Sequence, residues 1–491
     1  MSAEYLALQK QGMWSLVPLP PNKPLIGCKW TFKTKLLPNG QLDRYKARLV
    51  AQGCSQEFGV NFTETFSPVA KMVTIRMLIA AALNNHWKIT QLDISNAFLH
   101  SELQDEVYMR QPRGFEDSQY PNHVCRLHKS IYGLRQSPRQ WFQKLTEFLQ
   151  RLDFAFSKAD PSLLTFHQND IHIFVLIYVD DILITGNKPD HIQLILRQLQ
   201  SEFSLKQLGE ISLFLGIQVI KTTYGYFLCQ SHYAQDLLAS AGFTECKPAT
   251  SPASSCPPSS FDNQPFADPK LFRKLAGSLQ YLSITRPDIA FATNFVCQHM
   301  HQPRNDDFLA LKRILRYLKG SLNYGLPLKT VSIQLRSYTD ADWAANTEDR
   351  KSISGFCTFL GPNLVSWSVK KQTTVARSST EAEYRSLSSA TSDILWIRRL
   401  AEDLGIQQSS PTVIHCDNTS TIALANNPVF HARTKHIEID YHFISDHIRK
   451  GQISINHICT IDQVADILTK SLPVNLFQLL RSKLTICSQN G

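Results

Sequence analysis

No C-x-x-C pair occurs in this 491-residue sequence, although it holds 11 cysteines. The absence removes a zinc-knuckle spacing, and an odd number of scattered thiols argues against a disulfide framework, so a reducing, intracellular setting fits. Long apolar runs are missing too. The most apolar stretch, Ile171 to Thr185, is broken by Asp180 and Asp181 and falls short of the ~20 residues needed to cross a bilayer. The N-terminus carries Glu4 and no sustained apolar segment, which leaves out a secretory signal. No internal repeat is visible, and no clear basic targeting run.

What is present suits a large folded protein. At the usual ~100–200 residues per domain the chain should hold about three structural units, which excludes a single small binding module. An apolar fraction of 43% with 19% charged residues is ordinary for a chain that buries a core. Lys and Arg total 51 against 41 Asp and Glu, a net charge of +10 that favours a polyanionic partner. Between Cys28 and Val50 stand Lys29, Lys33, Lys35, Arg44, Lys46 and Arg48 with Asp43 the one acid, interleaved with Trp30, Phe32 and Tyr45. That reads as a phosphate-contacting surface, or as a solvated basic hairpin.

Cys246 to Pro269 holds prolines 248, 252, 257, 258, 265 and 269 among many serines, so neither helix nor sheet can run through it, and it is expected to be a linker or surface excursion. Beyond it, Phe308, Leu311, Leu315 and Leu318 line one face of a helix. From Ile333 the pattern becomes three strands (Ile333–Thr339, Ile353–Leu360, Leu364–Val369), a helix from Thr380 to about Leu404, a strand at Val413–Cys416, a helix near Glu438–Arg449, a strand at Ile453–His457 and a last helix after Asp462. This order predicts a compact α/β unit.

Two carboxylate groups carry the chemistry. Lys88–Asp93 reads as a strand ending in an acid, and Ile171–Val179 as a strand running into Asp180-Asp181 before Ile182–Thr185 resumes it. Adjacent strand residues point to opposite faces, so the two acids converge only if the turn bends the backbone between them. With Asp93 they would make a three-carboxylate site for divalent metals, suited to in-line phosphoryl transfer.

The stretches YKARLVAQG (45–53), LDISNAFLHSEL (92–103), YGLRQSPRQW (132–141) and YVDD (178–181) resemble, in wording and order, the reverse-transcriptase motifs of copia-type retrotransposon polyproteins. The resemblance runs from near residue 14 to about residue 470. It implies a multi-domain α+β chain: a right-hand polymerase with fingers, palm and thumb, followed by a ribonuclease H-like α/β domain. Residues 1–245 would hold the fingers, palm and start of the thumb, 246–270 the linker, 271–330 a helical thumb or connection segment, 331–472 the ribonuclease H-like domain and 473–491 a tail. Asp93, Asp180 and Asp181 would be the catalytic metal-binding acids, and Phe98 the aromatic that excludes a 2′-hydroxyl, or else a core ring. Lys46 or Arg48 would hold the triphosphate. Gly133, Gln136 and Pro138 fall where the family lines the nucleotide and template pocket. Cys54 departs from the family, which has an aromatic there, and TRPDI at 285–289 has no assigned role.

In the C-terminal part Asp340 (YTDADW), Glu383 (STEAEY), Asp417 (IHCDN) and Asp466 (VADILTK) are similar to the four acids of ribonucleases H, expected here on two strands and two helices. Asp342 and Glu381 are rivals, and Thr380-x-x-Glu383 is also a capping box in which Glu383 would merely cap the helix. His457, or with less support His436, is a candidate for proton transfer or product release. The resemblance implies two Mg²⁺ per active site, with Mn²⁺ as an alternative. It further implies an RNA template, a DNA primer, RNA–DNA hybrid and deoxynucleoside triphosphates as partners, with other element-encoded proteins and no membrane. The setting would be a cytoplasmic virus-like particle or the nucleus. The alternative is a co-opted, inactive nucleic-acid-binding remnant, against which the presence of all seven acids weighs. No gag-like, protease or integrase segment precedes the motifs, so a processed product or fragment without self-sufficient transposition is expected.

Overall fold

The computed structural model describes residues 1–36, 41–255, 262–330, 333–427 and 437–489. Residues 1–70 and 89–210 form one unit, and residues 71–88 and 211–491 a second. Both mix helices with sheets.

In the first unit the apolar run becomes a central strand. A six-stranded antiparallel sheet is ordered Leu205–Glu210, Thr90–Ile94, Asp181–Gly186, Ile171–Tyr178, Leu163–Gln168 and Ala155–Phe156. The two-residue strand period puts Ile173, Val175 and Ile177 on one face. There they meet Trp141, Leu145 and Leu149 of helix Ser137–Gln150, and Ile192, Ile195, Leu196 and Leu199 of helix Pro189–Glu202. Full burial of each aliphatic side chain contributes roughly 1.5–3 kcal/mol, so this face anchors the interior strands that carry Asp93 and Asp181. A separate hairpin pairs Cys28–Leu36 with Leu42–Ala51, and a small four-stranded sheet joins Trp14–Val17, Val124–Leu127, Tyr108–Met109 and Leu25–Ile26.

The second unit takes in helix Met72–Asn84, whose residues Thr74 to Ala82 are all buried. A helix buried through its middle turns has no solvent face there and must be enclosed, so its one cation needs partners inside. Its Arg76 donates to the carbonyls of Val365 (2.6 Å) and Ile284 (3.0 Å) and stacks 3.9 Å from the Trp367 ring. A five-stranded sheet is ordered Asn363–Lys371, Ile353–Leu360, Leu335–Asp342, Thr412–Cys416 and Ile453–His457. The first two pairings are antiparallel and the last two parallel. Helix Ser379–Asp403 packs over the strands at 335–342 and 353–360. A helix at Thr419–Asn426, absent from the sequence pattern, follows the strand at 412–416.

The proline-rich stretch does not separate the two units, since residues on both sides of it belong to the second. Its described flanks are pinned down: Ala249 N–H donates to Arg316 O, Phe266 N–H to Pro303 O, and Phe266 stacks on Phe308 at 4.0 Å. Pro257 and Pro258 lie outside the described residues. Pro269 opens helix Pro269–Leu282 beneath an Asp268 cap, where its missing N–H costs nothing.

The TRPDI segment is structural. Arg286 and Asp288, 2% and 1% exposed, form a two-bonded pair (2.9 and 2.8 Å). Arg286 also donates to Ser321 O, Tyr317 donates to Asp288 at 2.6 Å, and Arg481 donates to the Tyr317 hydroxyl at 3.2 Å. Every described cysteine is a free thiol. Among the described residues no helix is long and apolar enough to cross a membrane.

Candidate functional site

The first carboxylate group sits where three backbone features meet. Asp93 and Asp181 are direct cross-strand partners, a position in which Cβ atoms lie ~4.5–5.5 Å apart. Asp180 occupies the hairpin turn between Tyr178 and Asp181, and its carbonyl accepts from Ile94 N–H at 3.0 Å. The bend comes from Val179, which holds φ +57°. Such a turn normally has glycine there, and a β-branched residue at positive φ is strained. Trp141, fully buried, donates its indole N–H to Val179 O at 2.7 Å and fixes the turn. Neither Val179 nor Trp141 was singled out from the sequence, though both lie inside quoted motifs.

The electrostatics follow from the crowding. Burial, then the neighbouring Asp180 and Asp93, push the Asp181 carboxyl up to about 6. Asp180 is raised by burial and Asp93, while Arg48 and Lys46 act in the opposite sense. Both basic candidates are therefore close enough to act on Asp180. The hairpin register explains their placement. Thr31 faces Arg48 and Lys33 faces Lys46, so Lys29, Lys33, Arg44, Lys46 and Arg48 share one face. Trp30, Phe32 and Tyr45 share the other.

Arg48 lies 4.6 Å from the centroid of the Tyr132 ring, its Nε lacking a hydrogen-bond partner. Tyr132 in turn meets Phe98 edge-on at 5.0 Å. Tyr132 was not among the expected site residues, yet it links the two that were. Gly133 permits this approach: it has φ +94°, and a Cβ there would lie 2.2 Å from Ala51 O.

Gln136, expected at the pocket, is turned inward. Its side chain is 1% exposed, donating to Asn61 O (2.9 Å) and Asp105 (3.1 Å) and accepting from Gln56 (3.0 Å). An amide so fully engaged braces the loop and is not presented to a substrate. Pro138 is in the first turn of helix Ser137–Gln150. Cys54 is exposed in a short 3₁₀ turn, Gly53–Ser55.

The second group gathers Asp340 from strand Leu335–Asp342, Glu383 from helix Ser379–Asp403, Asp417 just after strand Thr412–Cys416, and Asp466. Asp466 is in a short 3₁₀ helix, Val464–Leu468, instead of the expected last helix. The residue opposite Asp340 is Gly355, where a Cβ would come 2.6 Å from Thr469, so glycine lets the 464–468 turn close over the strand. Asp340, Asp417 and Asp466 each offer an oxygen within 4.8 Å of the others, and so do the carboxylates of Glu383 and Asp417 with the Sγ of Cys416. Glu383 is 5% exposed with Oε2 unpartnered, and burial followed by Asp340 and Asp417 raises it strongly. Burial and Asp340 also raise Asp466, against the pull of Lys470. Buried, mutually repelling acids of this kind call for a cation.

The rivals are placed differently. Glu381 pairs with Arg385 at 2.6 Å and accepts from Arg377 N–H at 2.8 Å. The helix cap is Ser378, accepting from Glu381 N–H, which leaves the rival cap at Thr380 and Glu383 unformed. Asp342 is half-buried and outside both groups that could share a metal among the described residues. His457 is exposed at the end of strand Ile453–His457, in register with Cys416. Thr460, unforeseen, donates to Asp417 at 3.1 Å. His436 lies outside the described residues. Lys470, also unforeseen, bridges Asp340 (3.1 Å) and Asp466 (3.0 Å).

Residues 11–255 match the family described as Reverse transcriptase (RNA-dependent DNA polymerase). Over 99% of its length the chain is 45% identical to the Retrovirus-related Pol polyprotein from transposon RE1 of Arabidopsis thaliana, covering 33% of that protein. It is 44% identical to the corresponding RE2 polyprotein of the same plant, over 99% of the chain and 34% of that protein. To the Pol polyprotein from transposon TNT 1-94 of Nicotiana tabacum it is 36% identical, over 98% of the chain and 37% of that protein. The chain spans about a third of the length of these curated relatives. With both acid-lined sites in place beside these likenesses, the chain belongs to the reverse-transcriptase family of copia-type retrotransposon Pol polyproteins.

Proposed function

We propose that this chain is an RNA-directed DNA polymerase that also degrades the RNA strand of RNA–DNA hybrid. The observation that carries the polymerase reading is the cross-strand pairing of Asp93 with Asp181 beside the strained Val179–Asp180 turn. In this reading Asp93, Asp180 and Asp181 hold two Mg²⁺ ions, which supply Lewis-acid activation of a primer 3′-hydroxyl and charge neutralisation at the leaving pyrophosphate. Lys46 and Arg48 present cationic donors to the triphosphate from the hairpin face. Phe98, held edge-on by Tyr132, closes the space beside the sugar at C2′ and so favours deoxynucleotides. The surrounding sheet and hairpin act as palm and fingers.

The nuclease reading rests on the buried acids of the second unit and on its sheet, three antiparallel strands extended by two parallel ones. Asp340, Glu383, Asp417 and Asp466 would hold the ions that activate water against an RNA phosphodiester. The 2′-hydroxyls mark the strand to be cut. His457, exposed at the strand end, is free to approach a product phosphate. A virus-like particle or the nucleus is the proposed setting.

One assay tests both halves. A doubly labelled RNA template with a DNA primer is incubated with Mg²⁺ and wild type, Asp181→Asn or Asp417→Asn. Extension lost only in the first variant and RNA cleavage lost only in the second is the expected result. A folded wild type that binds the hybrid but neither extends nor cleaves would overturn it in favour of an inactive nucleic-acid-binding remnant.

A further inference from the structure

Lys470 is left over by the proposed chemistry, although it is embedded in the second acid group. Its Nζ lies 3.1 Å from Asp340 Oδ1 and 3.0 Å from Asp466 Oδ1, bridging two of the three acids whose oxygens converge. The other oxygen of Asp340 accepts from the Thr469 hydroxyl, so the acid is held on both sides by consecutive residues. Glu383, by contrast, keeps Oε2 unpartnered at 5% exposure. Among the described residues of this cluster, one ammonium stands against four carboxylates.

We propose that Lys470 is a tethered counter-cation that competes with divalent ions for Asp340 and Asp466 and so sets how tightly the nuclease site binds them. The inference rests on the nuclease reading of this acid group. An ammonium and a hard divalent ion seek the same carboxylate oxygens, and two cations on one oxygen edge repel. A lysine can yield where a rigid group cannot, because its charge rides on a flexible four-carbon stem. It has somewhere to go. The Lys470 side chain is 31% exposed and, with Asp342, lines a cavity of about 950 Å³ whose walls include Phe291, Phe295 and Ile353. Asp342 feels the Lys470 charge, which gives the displaced ammonium a second acid. This also accounts for a carboxylate two residues from Asp340 that joins neither ligand group found among the described residues.

The opposing account is that Lys470 props Asp340 and Asp466 in place, so that removing it loosens the metal site. Calorimetric titration with Mn²⁺ separates the two, using the full chain with Asp181→Asn in every sample to silence the first site. Lys470→Met is expected to bind Mn²⁺ roughly tenfold tighter than Lys470, the gain expected from removing a repelling charge. Lys470→Arg, which keeps the charge, is expected to stay near the parent affinity. In chelator Lys470→Met should melt below the parent, with the gap closing as Mn²⁺ is added. Unchanged or weaker binding by a Lys470→Met protein of normal circular dichroism would overturn the inference. If neither the parent nor Lys470→Met binds Mn²⁺ in a manner abolished by Asp340→Asn, the nuclease reading itself fails.

Discussion

Val179 shows how a single backbone angle assembles a site. Two adjacent acids on a regular strand would diverge, and the positive φ of Val179 lets Asp180 leave the strand while Asp181 stays paired with Asp93. Strain of this type costs on the order of 1–3 kcal/mol and must be opposed by neighbours. The Trp141 indole bond to Val179 O is the visible restraint. Trp141→Phe should cut the primer-extension rate at saturating nucleotide about tenfold or more while changing KM little, the outcome for a loosened turn; steady-state kinetics on wild type and variant checks this. Asp181 supports a second prediction. Its folded value of about 6 lies above the 3.8 of the free side chain, so the fold binds the proton more tightly than the unfolded chain does. Stability from this group is present below pH ~4 and is lost as pH rises through 6. Asp181→Asn removes that penalty. In chelator it should melt higher than wild type at pH 8, with the difference vanishing toward pH 4 in a set of thermal melts.

The hairpin of Cys28–Leu36 and Leu42–Ala51 has its two faces sorted by the simplest rule of strands. In the sequence, basic and aromatic residues alternate, and the register places the described basic side chains on one face with Trp30, Phe32 and Tyr45 on the other. Asp180 feels Lys46 and Arg48 from that basic face. Arg48→Ala is therefore expected to raise KM for deoxynucleotides roughly tenfold, about 1.4 kcal/mol of lost charge-assisted bonding. Phe32→Ala, on the opposite face, should leave that KM within about twofold on the same scale. A comparable rise in both variants would mean that the face assignment does not govern nucleotide binding. At the other end of the chain, the buried Arg286–Asp288 pair joins elements that are distant in sequence through Tyr317, Ser321 and Arg481. Burial works against the Asp288 charge, but Arg286 and Tyr317 outweigh it and hold the carboxyl below its ordinary range. Arg286→Met leaves that acid without its cation and should destabilise the second unit by ~3–5 kcal/mol, seen as a lowered urea midpoint for its transition.

Across the whole molecule, continuity of sequence and continuity of packing part company. Helix Met72–Asn84 lies between the motifs at 45–53 and 92–103, and the reverse-transcriptase family match at 11–255 contains it. Its packing nevertheless belongs to the unit of residues 211–491, where Arg76 is held by Ile284, Val365 and Trp367. A fragment of residues 1–245 would carry this helix without residues 284, 365 and 367. It is expected to aggregate or to show excess dye binding to exposed apolar surface on size-exclusion chromatography, while the full chain runs as a folded species.

The sequence by itself determined the motif order, the strand that ends near Asp93, the hairpin strands around Asp180 and Asp181, the strands beside Asp340 and Asp417, and the helix that bears Glu383. Strand period, apolar runs and local breakers are properties of neighbouring residues and need no partner to be read. Tertiary structure alone decided which residues share space. It drew Tyr132 between Arg48 and Phe98, turned Gln136 inward, set Glu381 aside from Glu383, laid Lys470 across Asp340 and Asp466, and assigned helix Met72–Asn84 to the far half of the chain. Such choices depend on burial and on close approach between segments up to hundreds of residues apart, such as Arg76 and Val365, and no local pattern encodes that meeting.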